Sequence, residues 1–224
     1  MATKLSSRST ACTSRPARVA DARLADRWPL KEGAASGPAP RQPAVQRVAG
    51  ETRGDEPSLQ IDTERLRLRL LSADDAPHFV RLFQNDWDAV KQTGRMPYPV
   101  TEPAMRDWIA LHAVGSSRTF LMARKTDGAA LGGVGFGGLG DVHELGYALG
   151  RPFWGQGYAT EGVLAMIEYA RSLGLKALQA FTFVENPASA QVLLKAGFTD
   201  LGVARRDYPM RGGLRRVRQY LKRL

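Results

Sequence analysis

The sequence predicts one mixed α/β domain over residues 59–224, a mostly antiparallel central sheet with helices on both faces, preceded by a disordered tail over residues 1–58. Three observations predict it. Leucines alternate with arginines in "RLRLRLL", and apolar residues alternate again in "HELGYAL", which is the period of half-buried strands. Apolar residues recur every three to four positions in "HFVRLF" and "VLAMIEYA", which is the period of helices. The two patterns interleave along the chain, so the strands must share a sheet that the helices cover.

The elements come in this order. Residues 1–58 carry Ser, Ala, Pro, Gly and Arg with little apolar periodicity, and "EGAASGPAPRQPA" has the composition of a linker. Leu66, Leu68 and Leu70 should face the core from the first strand, with Arg65, Arg67 and Arg69 opposite. Ser72 suits the N-cap of a helix presenting Ala76, Phe79, Val80 and Phe83 on one face. "DWDAVKQT" predicts another turn or two of helix, "GRMPYPVTEP" a loop, and "EPAMRDWIALHAV" a helix through Met105, Trp108, Ile109 and His112. "RTFLMARK" and "ALGGVGFGGLG" are strands joined at "TDG", a hairpin signal. In "HELGYAL", Leu145, Tyr147 and Leu149 share one face and Glu144, Gly146 and Ala148 the other. Thr160-Glu161 should open a helix whose buried face is Val163, Met166, Ile167, Ala170 and Leu173, ending near Gly174. "KALQAFTFV" is a strand, "NPASAQVLLKAGF" a helix closed by Gly197, and two strands flank "RGG".

Composition narrows the function classes. Lone Cys12 excludes an internal disulfide framework, and with only His78, His112 and His143 a Cys/His zinc site is not expected. No apolar run reaches the eighteen or so residues of a membrane span, and there is no secretory h-region, so we expect a soluble cytoplasmic protein. The first twenty residues hold four cations and no acid, a composition shared by transit peptides and plain tails. The net charge of +10 is concentrated at the ends. Residues 1–58 have ten basic residues against six acidic, the chain from Val203 onward eight against one, and the body between is close to neutral. Such asymmetry informs about tails and edges more than about a central activity.

Two glycine-rich stretches compete as phosphate sites. Gly133, Gly135 and Gly138 satisfy G-x-G-x-x-G, but a strand comes after them instead of a helix, so they mark bulges or close backbone approach. "RPFWGQGYATEG" (residues 151–162) does lie between a strand and a helix. The backbone N–H groups at a helix N-terminus lack intrahelical partners, and Gly155 and Gly157 leave room for a phosphate to reach them. From these residues alone, a plain turn beside Trp154 fits as well.

"ELGYALGRPFWGQGYATEGVLAMIEYA" followed by "FVENPASAQVLLKAGF" resembles the GNAT acetyltransferases, nearest to the Rim-type branch that acetylates the N-termini of ribosomal proteins. The resemblance covers about residues 61–222 and implies a single GNAT-like domain using acetyl-CoA and no metal. It implies that Gly155, Gln156, Gly157, Tyr158, Ala159 and Thr160 wrap the pyrophosphate. Tyr147, Ala148 and Leu149 would splay from the strand at 176–184 and meet pantetheine, and Asn186 and Ser189 would meet the cofactor's other arm. Trp154 stands where the superfamily often has Gln or Arg, as is usual in the Rim-like branch. Leu193 stands where many members carry a tyrosine that protonates the departing thiolate. Leucine has no proton to give; Ser189, one turn earlier on the same face, has a hydroxyl, and the resemblance to Rim-type enzymes implies a Ser of this N-x-x-S pattern in that role. Ser189 is thus either the general acid or a cofactor contact.

An acceptor amine must be neutral to attack. An α-amine (pKa about 8) meets that condition at neutral pH far more readily than a lysine (pKa about 10.4). Glu144, just upstream of the cofactor-facing strand end, is the base candidate, directly or through water; a solvent-facing strand residue is the alternative. His143 faces the other way, and Glu161 suits the dipole of its helix. The acceptor is a protein α-amine, or a small amine such as an antibiotic or metabolite, with residues 86–112 shaping its site. Asp86, Asp88, Glu102 and Asp107 would favour an aminoglycoside if they line a pocket. A non-catalytic CoA-binding or ribosome-associated module is the second class, motivated by "RRDYPMRGGLRRVRQYLKRL" as a weak RNA contact. The same segment also fits an amphipathic strand pair anchored by Val217, Tyr220 and Leu221, with its arginines facing water.

Overall fold

The computed structural model describes residues 59–112 and 117–224, and the tail expected over residues 1–58 lies outside the described residues. The strands are β1 (Gln60–Asp62), β2 (Leu66–Leu70), β3 (Arg118–Arg124), β4 (Ala130–Gly137), β5 (Val142–Leu149), β6 (Ala177–Phe183), β7 (Thr199–Tyr208) and β8 (Gly213–Arg223). The helices are α1 (Ala76–Phe83), α2 (Trp87–Val90), α3 (Glu102–His112), α4 (Tyr158–Ser172) and α5 (Pro187–Lys195). The strands form one sheet in the order β1-β2-β3-β4-β5-β6-β8-β7. Every neighbouring pair is antiparallel except β5 and β6, which are parallel. This is the predicted fold class.

Each face of the sheet has its own core. On one side Leu66, Leu68, Phe120, Val134 and Leu145 pack with Val163, Met166 and Ile167 of α4 and Leu193 of α5. On the other, Leu121 packs with Phe79, Phe83, Met105 and Ile109 from α1 and α3. Burying each such side chain contributes roughly 1.5–3 kcal/mol, so the strand and helix periods in the sequence translate directly into these two layers. The leucine alternation of β2 stops before its end. Leu70 is 41% exposed and Leu71 is buried in its place. The chain leaves the sheet there, because the Asp75 carboxylate accepts from Ser72 N at 2.9 Å and from the Arg69 guanidinium at 2.6 and 2.8 Å, winding a short turn into α1.

The glycines of "GVGFGG" serve strand packing. Gly133 and Gly135 lie inside β4, and a Cβ on Gly135 would sit 2.3 Å from the Arg118 carbonyl oxygen of β3. At the C-terminus, β7 and β8 pair as expected, with Val217 and Tyr220 buried. Their arginines do not all face water, however. Arg211, in the turn between the strands, is only 6% exposed. Its guanidinium is used internally, donating to the carbonyl oxygens of Val90 (3.0 Å), Thr93 (2.7 Å) and Met96 (2.6 Å). A charge run in sequence does not reveal which cation will find enough acceptors to be buried.

Candidate active site

The sheet opens between β5 and β6. Their register pairs Val142 with Ala177, His143 with Leu178 and Glu144 with Gln179, and runs no further, while β5 stays paired to β4 as far as Leu149. The stretch 145–149 therefore parts from β6, as the resemblance implied for Tyr147–Leu149. The strand period then separates the chemistry by face. Ala148 packs against the α1–α3 core, whereas Leu145, Leu149 and the half-buried Tyr147 pack on the α4–α5 side.

The loop after β5 leads to the N-terminus of α4. Gly155 (φ 72°) and Gly157 (φ 84°) are both left-handed, a conformation that costs an L-residue about 1–2 kcal/mol. Gly157 is the N-cap, so α4 starts at Tyr158, two residues earlier than the sequence predicted. Glu161 N donates to Gly157 O at 3.0 Å, which places the N–H groups of Tyr158, Ala159 and Thr160 ahead of the first helical bond. Open space surrounds Gly155 where a Cβ would stand. The loop is held by its own side chains. The Trp154 indole donates to Leu149 O at 2.8 Å and Gln156 Nε2 to Pro152 O at 2.8 Å. The Leu149 carbonyl is thus already in use at the end of the splayed strand.

Arg65 reads from sequence only as the outer face of a strand, and the structure brings it to this loop. Its guanidinium donates to Gln156 O at 2.9 Å, lies 4.5 Å from the Tyr158 ring centroid, and would stand 3.3 Å from a Cβ on Gly157. Glu161 organises it. The Glu161 carboxylate accepts from Thr63 Oγ1 (2.6 Å), Arg65 N (2.8 Å) and Arg65 Nε (2.7 Å), so it is a buckle between the β1–β2 turn and α4 as well as a first-turn acid. Burial pushes the Glu161 carboxyl up, but these hydrogen bonds outweigh it and hold it below its ordinary value.

Across the gap, Asn186 caps α5 by accepting from Ser189 N at 3.0 Å. Ser189 meets Tyr147: the tyrosine hydroxyl donates to Ser189 O at 2.9 Å and lies 2.8 Å from Ser189 Oγ. Burial pushes the Tyr147 phenol well up, more than the Ser189 contact pulls it down, so it stays a neutral donor. Leu193 is fully buried in the core beneath Ser189's turn. Pairing of Tyr147 with Ser189 had no sequence signal, because the two residues lie 42 positions apart.

On the other face Glu144 accepts from Arg95 at 3.2 Å and from Arg206 at 3.0 Å, one guanidinium on each oxygen. Arg206 also lies 3.9 Å over the Phe181 ring. His143 is buried against Phe136 (centroids 5.9 Å apart), and desolvation lowers its imidazole below the ordinary value. Three of the four acids that would have favoured an aminoglycoside are engaged: Asp86 accepts from Arg151 Nε (2.7 Å) and from one of its terminal nitrogens (2.5 Å), Asp88 pairs with Lys91, and Glu102 with Arg106.

Residues 65–199 match the family model described as the acetyltransferase (GNAT) domain. The chain is 30% identical over 152 residues to the uncharacterized N-acetyltransferase YoaA of Bacillus subtilis, an overlap of 65% of this chain and 85% of that protein. Among solved structures, it resembles a GNAT-family acetyltransferase from Bacillus anthracis, with TM-score 0.64, 21% identity, and coverage of 73% of this chain and 98% of that one. It also resembles RimL, a ribosomal L7/L12 α-N-protein acetyltransferase in complex with coenzyme A, with TM-score 0.62, 22% identity, and coverage of 72% and 96%.

Proposed function

The chain belongs to the GNAT acetyltransferases, and from that premise we propose that it moves an acetyl group from acetyl-CoA directly to the N-terminal α-amine of a protein or peptide. The observation that carries the donor half of this reading is the alignment of two features: the parting of β5 from β6 after Glu144, and the left-handed Gly155–Gly157 loop that opens α4 beside it. The residues fit the donor. Backbone N–H groups of Gly157–Thr160 and the positive end of α4 suit a pyrophosphate, with the Arg65 guanidinium alongside. Residues Tyr147 and Ala148 of the freed strand offer backbone groups to pantetheine, and Asn186 and Ser189 flank it from α5.

Acetyl-CoA supplies an activated acyl carbon; the chain's residues handle the protons. Glu144 and Ser189 act from opposite faces of the sheet, so the amine arrives on the α1–α3 side and the sulfur leaves on the α5 side. Glu144 accepts the amine proton, directly or through one water, as the carbon–nitrogen bond forms. Each of its oxygens gives one lone-pair site to an arginine and keeps another. As the carbon–sulfur bond breaks, the Ser189 hydroxyl donates to the departing sulfur, and the neutral Tyr147 hydroxyl orients it. An α-amine suits this arrangement, since about half of it is already neutral near pH 8. No covalent enzyme intermediate is required. Support for the Rim-like acceptor comes from Trp154 in the loop and from the fold shared with RimL.

Thiol release with peptides, polyamines and aminoglycosides as acceptors tests the reading. Turnover on peptides with a free N-terminus, lost when that terminus is blocked, is expected. Turnover on an aminoglycoside alone would contradict it.

A further inference from the structure

The segment joining α1 to α3 is fastened across the gap in the sheet. Near its start, Asp86 is gripped by Arg151, which comes just after β5. Further on, Val90, Thr93 and Met96 are gripped by Arg211 from the β7–β8 turn. Since β6 lies between β5 and β8, this strap passes over the opening where the thioester would lie. On its β6 side it leaves a groove of about 460 Å³, walled by Trp87, Lys91, Glu185, Met210, Arg211 and Arg215.

We propose that this groove receives a carboxylate of the acceptor, so that the favoured substrates are peptides with Asp or Glu within the first few residues after the reacting amine. The inference rests on the α-amine reading above and names its substrate class. Three cations face one carboxylate in these walls, and the cations are not equivalent. Arg211 is buried, and its partners are carbonyl and hydroxyl oxygens; among the described residues no carboxylate neutralises it. Burial and the neighbouring Arg215 charge both work against its protonated form. A buried cation without a counter-ion is costly, and an entering anion relieves that cost. Lys91 and Arg215 are paired with Asp88 and Glu185, but both pairs are substantially exposed and therefore weakly held. An incoming carboxylate can exchange with Glu185 at Arg215.

The apolar walls fit the flanks of such a peptide. Trp87 is 43% exposed and Met210 54%, so both offer apolar surface beside the three cations. Glu185 immediately precedes Asn186, the cap of α5, so the groove adjoins the helix that carries Ser189. An extended peptide advances about 3.3 Å per residue, so positions two to four sample successive distances from the gap. The same charges disfavour polyamines and aminoglycosides.

The test is a set of peptides identical except for acidic, neutral or lysine residues at positions two to four, assayed by thiol release with saturating acetyl-CoA. Acidic peptides should show kcat/KM at least about tenfold above their lysine counterparts, expressed in KM and narrowing as salt rises. Arg215→Glu, and independently Lys91→Glu on a different element, should shrink or invert the order while acetyl-CoA affinity stays unchanged. Turnover of all peptides without charge preference overturns the groove assignment and leaves the α-amine reading standing. Turnover of small amines with no peptide turned over removes both.

Discussion

Gly157→Glu is the most informative perturbation of the donor site. At φ 84° an L-residue costs about 1–2 kcal/mol. The added Cβ meets only the far end of the Arg65 side chain, at 3.3 Å, which can swing aside. The protein should therefore fold, with a modest loss of stability. The new carboxylate, however, would stand among the N–H groups proposed to hold the pyrophosphate. Two like charges about 5 Å apart at an effective dielectric of 20 repel by about 3 kcal/mol, which is more than a hundredfold in affinity. Gly157→Ala separates the effects, keeping the strain while adding no charge. Calorimetric titration with acetyl-CoA, beside a denaturation curve for each variant, is the assay. We expect similar stability losses in the two variants and a far larger affinity loss in the glutamate one. Acetyl-CoA affinity within twofold of wild type in Gly157→Glu would refute the pyrophosphate placement.

The remaining predictions concern protons and the buckle. Ser189→Ala should lower kcat by roughly a hundredfold with little change in acetyl-CoA affinity, and Tyr147→Phe should lower kcat less; equal loss of kcat and affinity in Ser189→Ala would reduce Ser189 to a cofactor contact. Glu161→Gln should cost about 1–3 kcal/mol in denaturant unfolding, because one amide oxygen cannot replace three charge-assisted hydrogen bonds, and should weaken acetyl-CoA binding through the freed Arg65. The lowered Glu161 carboxyl contributes stability that is present above its ordinary value of 4.5 and lost as pH falls through the folded value; Glu161→Gln should flatten that acid limb. Desolvation lowers the His143 imidazole in the fold, so its contribution is present above 6.5 and is lost as pH falls through the folded value; thermal melts of His143→Phe should show that decline flattened.

Period and turn chemistry made most of the architecture legible. Leu66 and Leu68 of β2, the helix face of α1, that of α4 as far as Ala170 (Leu173, at its C-cap, is 47% exposed), the "TDG" hairpin and the glycine loop all signal locally, within a few residues. Context also separated the two glycine motifs correctly, since the element after "GVGFGG" is the strand β5 and not a helix. Long-range pairing of polar groups stayed hidden. Arg65 looked like a solvated strand residue, yet it meets Gln156 and Glu161, more than 90 positions away. Arg211 looked like one cation of a basic run, yet it is the buried bolt of the strap. Glu144 was visible as a strand residue near the gap, but its two arginines arrive from a loop and from β7. Sequence spacing carries no information about such meetings; the sheet order and the loops and helices packed on it create them.

The proposed transfer of acetyl from acetyl-CoA to a peptide α-amine at the gap between β5 and β6 would unite the donor loop, Glu144 and Ser189 in one reaction. Tandem mass spectrometry of an acceptor mixture, containing peptides with free α-amines and internal lysines together with small amines, tests it most directly. One added acetyl group is expected, located on the N-terminal nitrogen of the peptides and absent when Ser189→Ala replaces the wild-type enzyme at matched times. Acetyl groups found on lysine side chains or small amines, with every peptide α-amine left free, would contradict it.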